Sequence, residues 1–164
     1  MVGKKVMYDF IGSNDAQLRA MLMDANLNQT QYQAVQHTFN IDDFVTGKID
    51  VMSGYLTDQV FLFRQMGLKI NVINPQSYGI DLYGDLLFTT TGQVEQHPER
   101  VEKFRRASLK GWHYALAHPE ELVQLIHNKY HSKLSLEHLR FEAQATASLI
   151  LADAIPLGQI EVRR

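Results

Sequence analysis

The chain has 164 residues, 45% hydrophobic and 21% charged, with 16 Lys+Arg against 18 Asp+Glu and no cysteine. That length supports a core without disulfide or metal staples, and the missing thiols exclude disulfide scaffolds, thiolate zinc sites, iron–sulfur clusters and cysteine nucleophiles. A formal charge of −2 leaves no basic footprint for a phosphate backbone or an anionic membrane, so nucleic acid is not an expected partner.

In chain order, Lys5–Phe10 reads as a strand, and Gly12-Ser13-Asn14-Asp15 offers caps for a helix through Leu18, Met21, Leu22 and Ala25. Tyr32–His37 is a second strand, followed by a short helix through Ile41, Phe44 and Val45 that stops at Gly47. Ile49–Tyr55 reads as a third strand, Asp58–Met66 as a helix ending at Gly67, and Lys69–Ile73 as a fourth strand. Strands alternating with helices imply a mostly parallel sheet, whose ligands bind beyond the strand carboxyl ends. That rule singles out Phe10–Asp15, Ser53–Asp58 and Asn74–Asp85.

Asp85–Thr90 reads as extended, after which the chain turns helical. No Glu precedes Glu95, Asp153 is the only Asp after Asp85, and every histidine but His37 lies in the later part. His97-Pro98-Glu99 and His118-Pro119-Glu120 each read as a helix start, because proline at a first helical position gives up no hydrogen bond and Glu suits the positive helix end. Val101, Phe104, Ser108, Trp112 and Ala115 form one face of the first helix; Leu122, Ile126 and Tyr130 mark the second, and Leu136, Leu139, Ala143 and Ile150 a third.

Chemical motifs are sparse. His127 and His131 have a zinc-protease spacing, but Asn128 stands where the water-activating Glu would be, so neither metal nor cofactor is expected. There is no Gly-x-Ser-x-Gly elbow, phosphate loop or Gly-x-Gly-x-x-Gly fingerprint. Arg105, Arg106 and Lys110 read as a solvated helix face. Gly12-Ser13-Asn14-Asp15 could hold an anion on free backbone N–H groups, although Asp15 opposes one. The richest stretch is Tyr78-Gly79-Ile80-Asp81-Leu82-Tyr83-Gly84-Asp85, where tyrosines supply an aromatic wall and carboxylates supply acceptors for a flat, amine-bearing ligand. A tyrosine-rich loop with capping aspartates would look the same.

Gly47-Lys48-Ile49-Asp50-Val51-Met52-Ser53-Gly54-Tyr55-Leu56-Thr57, then Tyr78–Asp85, the two His-Pro-Glu helices and Ser108-Leu109-Lys110-Gly111-Trp112 together resemble the thiamine-pyrimidine-type solute-binding proteins. These are type II periplasmic binding proteins, akin to alkanesulfonate and nitrate binders and to a fungal thiamine-pyrimidine synthase. The resemblance covers about residues 3–159. It implies an α/β fold in which residues 1–85 form most of lobe two and residues 86–164 form the returning crossover and last helices of lobe one, with the first lobe-one segment absent. It implies a ligand, pyrimidine-like or anionic, held between lobes and shifting an open–closed equilibrium. By analogy Ser13, Asn14, Ser53, Tyr55, Thr57, Tyr78, Tyr83 and Asp85 face that ligand, with Asp85 on an amino or protonated ring nitrogen.

Asp58-Gln59-Val60 departs from the Asn-Glu-Pro that such relatives tend to carry, and the iron-site cysteines of the fungal enzymes are absent. A non-enzymatic receptor is therefore expected outside the cytoplasm, partnered with a transporter permease or fused to a membrane histidine kinase or diguanylate cyclase. The alternatives are an enzyme related to the synthase and an interaction domain without a ligand. On this reading the export signal lies outside the 164 residues, and the face left unpartnered by the absent segment is apolar and self-associates.

Overall fold

The computed structural model describes residues 1–12, 15–130, 132–150 and 155–160. Contacts divide the chain into two compact units: Met1–Tyr55 with Leu62–Leu82, and Leu56–Phe61 with the chain from Tyr83 onward.

The first unit is built on a three-stranded parallel sheet. Strand β1 (Lys5–Tyr8) lies between β2 (Gln33–Gln36) and β3 (Val51–Met52). Lys5 is opposite Gln33 and Tyr8 opposite Gln36, while Val6 and Met7 are opposite Val51 and Met52. A central strand covered on both faces should be apolar throughout, and Val6, Met7 and Tyr8 are all buried. On one face Val6 and Tyr8 join Leu22 of helix α1 (Ala16–Asp24) and Tyr32, with Leu18, Leu27, Ala34 and Val51 around them. The Tyr8 and Tyr32 hydroxyls are 3.1 Å apart. Burial first, then this contact, pushes the Tyr8 phenol up to about 12. Helix α2 (Asp42–Val45) brings Phe44 against Phe63 of helix α3 (Gln59–Gln65).

The third strand is shorter than the Ile49–Tyr55 expected, although Asp50 N–H to Lys5 O (3.0 Å) and Ser53 N–H to Met7 O (2.9 Å) extend its bonding by one residue at each end. The expected fourth strand, Lys69–Ile73, is a correction: it carries no ladder and is followed by a 3₁₀ turn, Pro75–Tyr78. Alternating side chains give a segment a strand-like pattern but not a partner, and β3 pairs over only two residues. Asn74 caps the 3₁₀ turn through Oδ1 to Gln76 N–H (3.1 Å), and Gly79 closes it at φ 74°, a left-handed conformation that favours glycine.

The second unit is helical: α4 (Thr91–Gln96), α5 (Pro98–Ala117), α6 (Pro119–Lys129) and α7 (Leu136–Ile150). Pro98 and Pro119 each occupy an early helical position as expected. Between the extended segment and Pro98, Thr90 caps the additional short helix α4 through Oγ1 to Gln93 N–H. Val123, His138, Leu139 and Phe61 are buried in this unit, and the His138 ring stacks on Phe61 with centroids 4.5 Å apart. The Arg140 guanidinium forks onto Glu120, Nε to Oε2 at 2.8 Å and Nη2 to Oε1 at 2.6 Å. The sequence groups Val101, Phe104, Ser108, Trp112 and Ala115 on one face of α5, but Phe104 and Trp112 remain 61% and 49% exposed.

Candidate functional site at the carboxyl ends of the strands

Parallel strands deliver their carboxyl ends to the same side of a sheet, so the residues leaving β1, β2 and β3 meet there. They are Asp9, Gln36 with His37, and Ser53, joined by Asp15 from the start of α1. Asp9 is 9% exposed. Its Oδ1 accepts the Gly12 backbone N–H (2.9 Å) and the Gln36 Nε2 amide (2.8 Å). Asp15 Oδ2 accepts both the Asp9 backbone N–H and the Ser53 hydroxyl, the latter at 3.0 Å. A Cβ at Gly12 would lie 2.2 Å from Asp9 Oδ2, so the carboxylate occupies the space a side chain would need.

His37 ties the second strand end to the third. Phe39 N–H donates to its Nδ1 (2.9 Å), which leaves the ring proton on Nε2, 3.0 Å from the Ser53 carbonyl oxygen. Gln36 spends its amide N–H on Asp9, and its Oε1 is buried without a hydrogen-bond partner among the described residues. A buried acceptor left unmade costs about 1–3 kcal/mol. Two carboxylates, a hydroxyl and an open amide oxygen make a neighbourhood that favours hydrogen-bond donors and repels anions.

Of the sequence-derived candidates, Ser13 and Asn14 lie outside the described residues. Ser53 enters the cluster directly. Tyr55, two residues on, is 71% exposed, and Tyr78 at the end of the 3₁₀ turn is 60% exposed. That turn lies beside α1, where Gln17 Nε2 reaches the Leu82 carbonyl at 3.4 Å, and Gln76 Nε2 donates to Asp81 (3.1 Å). The tyrosine-rich stretch is divided: Tyr78 through Leu82 belong to the first unit, Tyr83 through Asp85 to the second. Thr57 also belongs to the second unit, half-buried like Tyr83, while Asp85 is exposed. His131 lies outside the described residues; His127 Nδ1 faces the Leu134 carbonyl at 3.2 Å. No group of three or more metal-ligating side chains occurs among the described residues.

Asp9, Gln36 and His37 are not among the residues singled out from the sequence, which points to the stretches after the first, third and expected fourth strands and passes over the end of the second. The signal was available, since any polar residue closing a parallel strand falls on the same rim. In the second unit Asp58, which the sequence places at a helix start and at the end of the Ser53–Asp58 stretch, lies 2.9 Å from the buried His138 Nε2, not aligned for a hydrogen bond.

The sequence profile described as NMT1/THI5 like matches residues 1–122. The chain belongs to this family. Among curated relatives it is 28% identical over 129 residues to the formylaminopyrimidine-binding protein of Halalkalibacterium halodurans, covering 77% of this chain and 39% of that protein. It is 28% identical over 115 residues to the riboflavin-binding protein RibY of Chloroflexus aurantiacus, covering 70% and 31%. The match thus spans well under half the length of either relative. In this NMT1/THI5-like chain no described helix is long and apolar enough to cross a membrane.

Proposed function

We propose that the chain is part of a non-enzymatic solute receptor whose first unit holds a small, donor-rich heteroaromatic ligand at the strand carboxyl ends. The observation that carries this reading is the buried Gln36 Oε1, without a hydrogen-bond partner among the described residues, on the side chain whose amide N–H bonds the Asp9 carboxylate. An exocyclic amine or protonated ring nitrogen would fill that acceptor and meet favourable charge, whereas a sulfonate or phosphate would face two carboxylates. The relatives named for binding a formylaminopyrimidine and riboflavin, both nitrogen heteroaromatics, support the same ligand class.

On this reading Ser53 contributes its hydroxyl, while Tyr55 and Tyr78, both exposed in the same unit, supply aromatic faces. Family membership supports a role outside the cytoplasm; a transport permease or a membrane signalling module as its partner belongs to the same proposal. NMR titration of the isotope-labelled chain with an aminopyrimidine, riboflavin and an alkyl sulfonate tests the proposal. Amide shifts at Asp9, Gly12, Gln36 and Ser53 with the first or second ligand support it. Shifts at these residues with the sulfonate alone, or with none of the three, overturn it.

A further inference from the structure

A glutamine side chain ends in an amide with a donor nitrogen and an acceptor oxygen, and a half-turn about its last bond exchanges the two. Gln36, the last residue of β2, therefore presents a donor or an acceptor according to what fixes that half-turn. The fixing group is Asp9. Tyr8 pairs with Gln36 in the register of β1 and β2, and from the next position the Asp9 Oδ1 accepts the Gln36 Nε2 amide at 2.8 Å. Turned the other way, the amide would set its oxygen against a carboxylate oxygen, two acceptors with no proton between them.

Asp9 is itself held in place. Its backbone N–H is taken by the Asp15 carboxylate, and its own Oδ1 also accepts the Gly12 N–H at 2.9 Å. Its Oδ2 sits where residue 12 has no Cβ, so the absent side chain of Gly12 makes room for the carboxylate. The consequence reaches Gln36 Oε1, which is buried and has no hydrogen-bond partner among the described residues. With the nitrogen end on Asp9, the end of the amide left over is an acceptor.

We propose that Asp9 is a specificity-determining positioning residue: by holding the Gln36 amide nitrogen it keeps Oε1 as the atom offered to a ligand, and so selects a heteroaromatic ring with an exocyclic amine over its near-isostere with an exocyclic oxygen. The inference rests on the receptor reading above and adds to it an order of control, Gly12 to Asp9 to Gln36, and a choice between two ligands of nearly equal size. An amine fills Oε1, whereas a carbonyl oxygen meets a second acceptor and leaves Oε1 unpaired. A site built around a hydrogen bond rejects the analogue that cannot make it more strongly than a pocket rejects a small change of shape.

NMR titration of the 164-residue chain with 4-aminopyrimidine and with 4-pyrimidinone tests this, in the wild type and in Asp9→Ala. The wild type should prefer the amine by about tenfold or more, the worth of one hydrogen bond to a buried acceptor. In Asp9→Ala the amide is free to turn and donate to the pyrimidinone oxygen, so the preference should shrink at least about fivefold. A merely structural loss at Asp9 would weaken both ligands together and leave their ratio unchanged. Gly12→Ala, which displaces the same carboxylate from the other side, should move the ratio in the same direction and decides the matter if Asp9→Ala does not fold. Equal or reversed affinities in the wild type, or a ratio that survives the substitutions, overturn the proposal and leave the receptor reading standing. Binding of neither pyrimidine also overturns it, and the receptor reading falls with it only if riboflavin fails to bind as well.

Discussion

Strand β1 and helix α5 are both rich in apolar side chains, yet β1 is sealed and α5 is open. Val6 and Met7 have no exposed surface, whereas Phe104 keeps 61% of its own. A helix satisfies its backbone internally, so α5 forms from local signals whether or not its apolar face is covered. A strand satisfies its backbone only through neighbours, so β1 exists because β2 and β3 flank it. Apolar pattern therefore reports burial reliably in the sheet and only potential burial in the helix.

The largest contrast should come from truncating each element. Met7→Ala removes a fully buried side chain from the central strand and should cost about 2–5 kcal/mol in urea unfolding; Phe104→Ala in dilute protein should fall within about 0.5 kcal/mol. Equal losses at the two positions would erase the contrast. Next comes Gly12→Ala, whose Cβ must displace the Asp9 carboxylate from the Gly12 N–H and Gln36. It should cost roughly 1–3 kcal/mol, visible as a lower urea midpoint, and an unchanged midpoint would show that Asp9 relocates freely.

The smallest effect belongs to the exposed Glu120–Arg140 pair. Hydrogen bonding from Arg140, then from Gln124, holds the Glu120 carboxyl at about 2, below its ordinary 4.5. A depressed carboxyl contributes stability above its unfolded value and loses it as pH falls from 4.5 toward 2. The melting temperature of the wild-type chain should fall more steeply across that window than that of Glu120→Gln, and salt should shrink the difference. Parallel pH profiles would remove the pair from the account of α6 and α7.

Much of the helical part was legible because its signals are short-range. Pro98 and Pro119 mark starts within a residue, and Gly67 marks an end. The first two strands were legible for a different reason, since a short β-rich run between turn residues leaves few alternatives. Lys69–Ile73 failed because strand membership depends on a free edge elsewhere in the sheet, which its own side chains do not encode. The site was half legible. Ser53 follows from the carboxyl-end rule, but Gln36 is an ordinary polar residue until the order β2-β1-β3 sets it beside Asp9. Likewise Asp58 has meaning only once α7 presents His138 to it.

The acceptors at the strand carboxyl ends carry the proposed binding, and a binding comparison addresses them most directly. Titrating an aminopyrimidine into the wild-type chain and into Gln36→Leu, followed by NMR, should show binding weakened about tenfold or more in the variant, the loss of one hydrogen bond to a buried acceptor. The fold should stay intact, because Gln36 lies at the end of β2. Equal affinity in the two proteins would contradict the account and place the ligand elsewhere.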